Sequence, residues 1–384
     1  MHVAVVGAGA FGAWTAYQLV QRGAKVTLFD PWGPGHSRSS SGGETRLIRG
    51  TYGNDEVYTQ LVAEAFGAWE DFQRQSEHQV YFPTGSLWLF SKSDDGYART
   101  AMPLLQRHGL SLEEWTTGQA RDKYPQIYLD DIKTVFWEKE AGYLMARKTC
   151  QYLVEEVVKA GGQFLHERAA PGNIEGTKLK QIKLASGGAF TADAYVFACG
   201  PWMPTLFPAL LSDLISISRQ EIHYFGLPDL SKAYRTPNLP IWVDMGERIM
   251  YGVPDYDGRG FKVADDTREG NFDPSTADRE VRAEKLNQVR QYLGYRFPAL
   301  RDAPMTEARV CQYSNSPNGH FLLDQHPEAD NVFLAGAGCG HGFKLGPVVG
   351  RIMAERVLDG LSVPLEFRLE SLQNAGTLSN QFEH

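Results

Sequence analysis

His2-Val3-Ala4-Val5-Val6-Gly7-Ala8-Gly9-Ala10-Phe11-Gly12 opens the chain, and its reading decides the fold. The run from His2 to Val6 stops at Gly7, and Gly7, Gly9 and Gly12 form G-x-G-x-x-G where a helical pattern begins. In that spacing the first glycine makes the strand-to-helix turn, the second lets a pyrophosphate approach the backbone, and the third lets helix and strand pack closely. Lys25 to Phe29 reads as a second strand, and Asp30 stands where a carboxylate would accept the ribose hydroxyls of an adenosine. Glycines also gather in ordinary turns. Here, strand, glycines, helix, strand and acid follow in order within about 30 residues, as a βαβ dinucleotide unit requires.

A chain of 384 residues exceeds the usual limit of one core, so a large α/β domain with an inserted lobe, or two domains, is expected. With 42% hydrophobic and 22% charged residues and a net charge of -8, the composition is that of an ordinary globular protein, and nucleic acid is not an expected partner. No run approaches the ~18 apolar residues of a membrane span. The strand beginning at residue 2 leaves no room for a signal peptide, so the expectation is a cytoplasmic protein without a membrane partner. Cys150, Cys199, Cys311 and Cys339 form no C-x-x-C pair, and His36, His320, His326 and His341 match no ligand spacing; neither a metal site nor a disulfide framework is expected.

Pro31 to Arg46 is rich in Gly, Ser and Pro and reads as a loop beside the nucleotide unit, a candidate ligand contact. Tyr58, Leu61, Ala65, Phe66 and Trp69 recur at helical spacing between Val57 and Phe72. Tyr81 to Phe90 and Thr134 to Glu138 read as strands, Gly142 to Val158 contains a helix, and Gly162 to His166 and Ala194 to Ala198 are strands again, the last closing at Gly200. Several short strands between Ser216 and Ala264, with an amphipathic helix around Leu286, Val289 and Leu293, suggest a mixed α+β lobe. Near the end, the strand Asn331 to Ala335 runs into Gly336, Gly338, Gly340 and Gly342, and a helix follows from about Gly346 to Leu358. Two glycine-rich strand-to-helix junctions at opposite ends suggest one nucleotide domain built from both termini. A nicotinamide enzyme needs only the first junction, so the second favours FAD, whose ring must be held far from its adenine. A helix starting after Lys344 would turn free N–H groups and partial positive charge toward that ring.

The combination of Gly7-Ala8-Gly9-Ala10-Phe11-Gly12, Ser40-Ser41-Gly42-Gly43-Glu44-Thr45-Arg46-Leu47-Ile48-Arg49, Gly260-Phe261-Lys262, Cys311-Gln312-Tyr313 and Gly340-His341-Gly342-Phe343-Lys344 resembles the monomeric sarcosine oxidase and N-methyltryptophan oxidase branch of the D-amino-acid-oxidase-like flavoproteins. The resemblance runs nearly end to end. It implies an α/β fold: a Rossmann-like FAD-binding domain from residues 1–85, 150–215 and 317–384, and an inserted α+β substrate domain on a mixed sheet from 86–149 and 216–316. It also implies a cofactor site of Gly7, Gly9, Phe11, Gly12, Asp30, Ser40, Thr45, Arg46, Ala169, Gly200, Trp202, Gly338, Gly340, Gly342, Phe343 and Lys344, with Cys311 holding the flavin through a thioether.

By the same resemblance, Lys262 activates oxygen, and a fixed cation there would stabilise the charge that develops as O₂ accepts an electron. Arg49 and Lys344 match the pair that binds the substrate carboxylate, a guanidinium fork and an ammonium that together orient the substrate. Tyr251, Tyr313 and Gly340 match residues around the amine. The implied enzyme is a monomer that oxidises the C–N bond of a secondary or cyclic amino acid, in its neutral-amine form, to an imine and reduces O₂ to H₂O₂. One departure bears on the substrate. Asp266 stands where the sarcosine enzymes carry a histidine four residues after the lysine, so a larger N-alkyl amino acid, a cyclic imino acid or a specialised intermediate remains open beside sarcosine. A dehydrogenase with another electron acceptor, a glycine or D-amino-acid type oxidase, an NAD(P)-linked reductase and a non-catalytic flavoprotein are the alternatives.

Overall fold

The computed structural model describes residues 1–92, 94–227 and 232–375. The expected segment 216–316 therefore contains 228–231, and 317–384 ends in 376–384, which lie outside the described residues.

His2–Val6 is the centre of a six-stranded sheet in the order Leu322–His326, Ala329–Gly336, Ala194–Phe197, His2–Val6, Lys25–Phe29 and Gln163–Leu165. The last five strands are parallel, and the first is an antiparallel edge. Both faces of the central strands are covered, which is why His2–Val6 and Ala194–Phe197 read as nearly unbroken apolar runs. Val3 and Val5 join the core with helices Ala10–Gln21, Ala146–Lys159 and Gly346–Asp359, while Ala4 and Val6 pack with Phe29, Tyr195, Phe197 and Met203 on the other side. The opening turn depends on its glycines. Gly7 has φ +105°, and a Cβ on Gly12 would lie 1.8 Å from the Gly7 carbonyl oxygen. Only a bare α-carbon lets the helix start so close to the strand.

A second sheet of eight strands runs in the order Met305–Asn315, Ser216–Phe225, Phe261–Asp265, Ile249–Val253, Ile241–Met245, Ser86–Phe90, Thr134–Glu138 and Leu112–Trp115. It is mixed, because Ile241–Met245 and Ser86–Phe90 pair in parallel while their neighbours are antiparallel. Helix Ala283–Arg296 covers one face through Val289 and Leu293, packed with Trp242, Phe261 and Phe297. A third sheet pairs Gly142–Met145 with both Thr45–Ile48 and Tyr81–Phe82, so a strand from segment 86–149 pairs with two from segment 1–85.

Three local expectations change. Tyr81 to Phe90 is not one strand: Pro83 has no N–H to donate, Gly85 takes φ +76°, and the two halves enter different sheets. The loop expected from Pro31 to Arg46 ends at Glu44, since Thr45 and Arg46 pair with Met145 and Leu144. Ser216–Phe225 has ten residues, longer than the short strands expected there.

Candidate active site

The turn after His2–Val6 opens onto a long cleft with about 1400 Å³ of empty space, part of it shared with solvent. Of the sequence-expected cofactor residues, Gly7, Gly9, Phe11, Asp30, Ser40, Arg46, Ala169, Gly200, Trp202, Gly338, Gly340, Gly342 and Phe343 line its wall. Strand Met305–Asn315 supplies the facing wall with Gln312, Tyr313 and Ser314. Gly12 stands beneath the first turn, and Thr45 and Cys311 lie behind the lining. The Cys311 sulfur is 3.9 Å from the Ser40 carbonyl oxygen and 3.7 Å from Arg46 Nη2, and both of those residues face the cleft.

The donors and gaps along this wall fit a dinucleotide. A Cβ on Gly9 would meet nothing nearer than the Ser41 hydroxyl at 3.5 Å, so the space above it belongs to a ligand rather than to packing. The buried Ser40 and Ser314 hydroxyls on the wall have no hydrogen-bond partner among the described residues. Asp30 is buried and accepts the N–H groups of Ala8, Trp32 and Gly33 at 3.0, 2.9 and 3.0 Å. It therefore ties the first turn to the following loop, while its carboxyl oxygens keep a further acceptor position for a ribose hydroxyl. Trp32, His36 and Arg168 also line this end. The glycine- and serine-rich composition of residues 31–46 signalled the loop, but nothing in the sequence singled out Trp32 or Arg168.

A smaller cavity with about 560 Å³ of empty space continues from the cleft, sharing Arg46, Tyr313, Gly340 and Phe343 with it. It gathers Arg49, Tyr251, Lys262 and Lys344, so the sequence-expected catalytic residues share one cavity, with Leu47, Val243, Asp266 and His341 completing its lining. Each side chain is placed by a different element. Arg46 and Arg49 come from strand Thr45–Ile48 and the residue following it, Lys262 from Phe261–Asp265, and Tyr251 and Tyr313 from Ile249–Val253 and Met305–Asn315. Lys344 lies in the short 3₁₀ turn Gly342–Leu345, where its carbonyl accepts the Trp69 indole N–H at 2.7 Å. The backbone before this turn is tightly wound: Ala337, Cys339 and Gly340 all take positive φ. At Gly340 a Cβ would lie 2.8 Å from the Tyr313 ring.

The charge in this cavity is unusual for a protein interior. Lys262 is 2% exposed, and its ammonium donates to the Thr45 carbonyl at 3.0 Å. Burial, reinforced by the Arg46 guanidinium, pushes its pKa down to about 7. Lys344 is 4% exposed and donates to the His341 carbonyl at 3.2 Å, with its ammonium 4.9 Å from the centre of the Tyr52 ring. Burial and then the charge of Arg49 hold its pKa well below the usual lysine range. Arg49 stacks 4.9 Å from Tyr52 and 5.2 Å from Trp88, and its guanidinium donates to the Thr51 carbonyl. His341 is kept neutral by burial and by Lys344. One of its ring nitrogens faces the Tyr52 hydroxyl at 3.0 Å and the other the Gly319 carbonyl at 3.4 Å, which fixes Nε2 as the protonated one.

A largely parallel sheet whose glycine-rich turns open a dinucleotide-sized cleft onto a small, cation-lined cavity defines the class of nucleotide-dependent redox enzymes. The chain belongs to the DAO family of FAD dependent oxidoreductases, whose family model matches residues 2–356. It is 29% identical over 364 residues to the monomeric sarcosine oxidase of Bacillus sp. (strain B-0618), covering 93% of this chain and 92% of that one. It is 26% identical over 363 residues to the N-methyl-L-tryptophan oxidase of Yersinia pestis (strain Pestoides F), covering 91% and 93%. Among solved structures, the L-proline dehydrogenase of P. horikoshii superposes with a TM-score of 0.86 at 18% identity and 97% coverage of both chains, a likeness of fold.

Proposed function

We propose that this flavoenzyme oxidises the C–N bond of a secondary or cyclic amino acid to an imine and passes the electrons to O₂, forming H₂O₂. The observation that carries the reading is the pair of buried cations. Lys344 lies within ion-pair distance of no carboxylate among the described residues, yet it is buried in the same cavity as the guanidinium of Arg49. Burying two cations together costs several kcal/mol, and Lys344 keeps a strongly lowered pKa even with the buried Glu138 carboxylate acting on it, so the pair favours a further anion. A substrate carboxylate is that anion, and the guanidinium fork with the ammonium beside it fixes where its Cα and nitrogen lie. Sarcosine and N-methyl-L-tryptophan, named in the relatives, share this carboxylate beside a secondary amine.

FAD would lie along the larger cleft, its diphosphate over Gly7 and Gly9 and its ribose toward Asp30; when bound, it supplies the two-electron acceptor. Cys311 would hold it covalently through a thioether. Lys262, at the back of the smaller cavity, would present its positive charge to oxygen. Tyr251 and Tyr313 would bracket the amine, with Gly340 beside them. We further assign the six-stranded sheet to cofactor binding and the eight-stranded sheet to the substrate, and we place the protein as a monomer in the cytoplasm. Among the described residues no helix is long and apolar enough to cross a membrane.

The test is anaerobic bleaching of the purified flavoprotein with sarcosine, N-methyl-L-tryptophan, L-proline, glycine and D-alanine, followed by peroxide release on admitting air. Bleaching by an N-substituted or cyclic member ahead of glycine and D-alanine supports the reading. Bleaching by none of the five, or by glycine or D-alanine alone, rejects it.

A further inference from the structure

Asp266 follows strand Phe261–Asp265 and is 5% exposed in the wall of the smaller cavity. One carboxylate oxygen accepts the Tyr313 hydroxyl at 3.3 Å, and that hydroxyl lies 3.3 Å from the hydroxyl of Tyr251. The other oxygen, Oδ2, is buried and has no hydrogen-bond partner among the described residues. An unmatched buried carboxylate oxygen is costly and rare in a folded protein, and here it belongs to a residue that lines a cavity rather than solid core. The position calls for a hydrogen-bond donor, and a cationic one is favoured most.

The groups facing Asp266 narrow its role. Tyr251 approaches from the neighbouring strand Ile249–Val253 and Tyr313 from Met305–Asn315, two strands away on the other side; Arg49 and Lys344 share its cavity, and Arg268 and Asp265 flank it on its own segment. Arg268 is engaged with the Asn315 side chain at 3.0 Å and the Cys339 carbonyl at 3.2 Å, and Asp265 with Arg248 at 2.8 Å. Lys262 is turned to the Thr45 carbonyl, and His341 is neutral. No cation among the described residues lies within ion-pair distance of Asp266, although Arg46, Arg49, Lys262 and Lys344 share its cavity and Arg268 flanks it.

We propose that Asp266 receives the ammonium group of a zwitterionic amino acid whose carboxylate is held by Arg49 and Lys344, and that it takes the proton the amine must lose before oxidation. The proposal rests on the carboxylate reading of those two cations and adds the other half of the substrate. An N–H bond of the ammonium breaks, an O–H bond forms on Asp266, and no electron changes hands; the neutral amine left behind is the form that FAD, when bound, would oxidise. Burial raises the Asp266 pKa to about 6 against the opposing pull of Arg268, Tyr313 and Arg49, so it is mostly ionised at neutral pH yet is a better proton acceptor than a solvated aspartate. The substrate class follows: amino acids whose nitrogen carries a positive charge in water, in preference to amides and thioethers of the same shape.

Two unreactive carboxylates separate the halves of the site in the intact holoenzyme: trimethylglycine, with a fixed positive charge, and (methylthio)acetate, with a neutral sulfur. Binding is read from the flavin absorbance and by calorimetry. Asp266→Asn is expected to weaken trimethylglycine at least tenfold while leaving (methylthio)acetate unchanged or tighter, and Asp266→Glu to restore part of the loss. In the wild type, trimethylglycine affinity and the anaerobic bleaching rate with the best amine of the panel should both fall below about pH 6, and Asp266→Asn should lose both limbs. Equal weakening of the two ligands, or no change in either, overturns the role of Asp266 while leaving the carboxylate site standing. If Arg49→Ala leaves (methylthio)acetate binding intact, the carboxylate reading falls, and this proposal falls with it.

Discussion

Lys262 and Lys344 are two ammonium groups held inside the protein, and each carries a measurable consequence. For Lys262 the folded-state pKa of about 7 lies below the value of an exposed lysine. Below pH 7 the side chain is protonated in both folded and unfolded chains, and the folded protein bears the full cost of burying the charge. As pH rises toward 10 the folded chain has already released the proton, and the cost disappears. Lys262→Met should therefore melt higher than the parent at pH 6, by a margin equivalent to about 2–4 kcal/mol, and the margin should close by about pH 10. The same substitution should slow reoxidation by O₂ by ~10²–10³-fold while anaerobic bleaching changes little, because the charge is placed for oxygen rather than for substrate. A loss of bleaching equal to the loss of oxygen uptake would remove Lys262 from the oxygen step. Lys344→Met should raise the dissociation constant of (methylthio)acetate by about 10²-fold, as deletion of a charge-assisted hydrogen bond does in a buried site. An unchanged constant would mean that the carboxylate lies elsewhere.

At the scale of elements, the junction of His2–Val6 with helix Ala10–Gln21 controls the cofactor end of the molecule. A methyl group on Gly12 would collide with the Gly7 carbonyl, backbone against backbone, so no side-chain rotation relieves it. Gly12→Ala should push the helix off the sheet, cost several kcal/mol and yield protein that no longer retains flavin; retention of FAD with an unshifted melting temperature would show that the turn relaxes at little cost. This junction was legible in the sequence because its restraints are local. Spacing of three glycines, an apolar strand and an acid suffices, and the closing junction at Gly336 to Gly346 could be read in the same way. Local pattern also revealed most helices and strands, but it could not divide Tyr81 to Phe90 between two sheets, because which partner each half joins is settled by residues 50 or more positions away. The candidate site divides along the same line. Arg49, Lys262 and Lys344 were found through motifs that resemble a family, whereas the paired tyrosine hydroxyls and the unmatched oxygen of Asp266 exist only once three strands distant in sequence meet.

Across the whole molecule, the cofactor cleft is walled on one side by the six-stranded sheet and its two glycine-rich turns, and on the other by Gln312, Tyr313 and Ser314 of the eight-stranded sheet. A ligand filling this cleft joins the two sheets, so flavin binding should stabilise the chain as a unit rather than one part of it. Cys311 belongs to the second wall, on a strand whose register pairs it with Gln220, while Gly7, Gly9 and Asp30 belong to the first. A thioether at Cys311 would make that joining permanent. The expected result is that acid precipitation leaves the yellow chromophore with the wild-type pellet and that Cys311→Ala releases it to the supernatant. Mass action then supplies a second reading. A cofactor bound reversibly stabilises by RT ln(1 + [L]/Kd), about 4 kcal/mol at a thousandfold excess over Kd, and makes the melting temperature depend on its concentration. Cys311→Ala should thus melt at a temperature that climbs with added FAD, whereas wild type with its flavin attached should not respond to it. Should wild-type protein surrender its flavin to acid and melt in an FAD-dependent manner, the cleft would hold its cofactor by contacts alone, and Cys311 would be a packing residue behind Ser40 and Arg46.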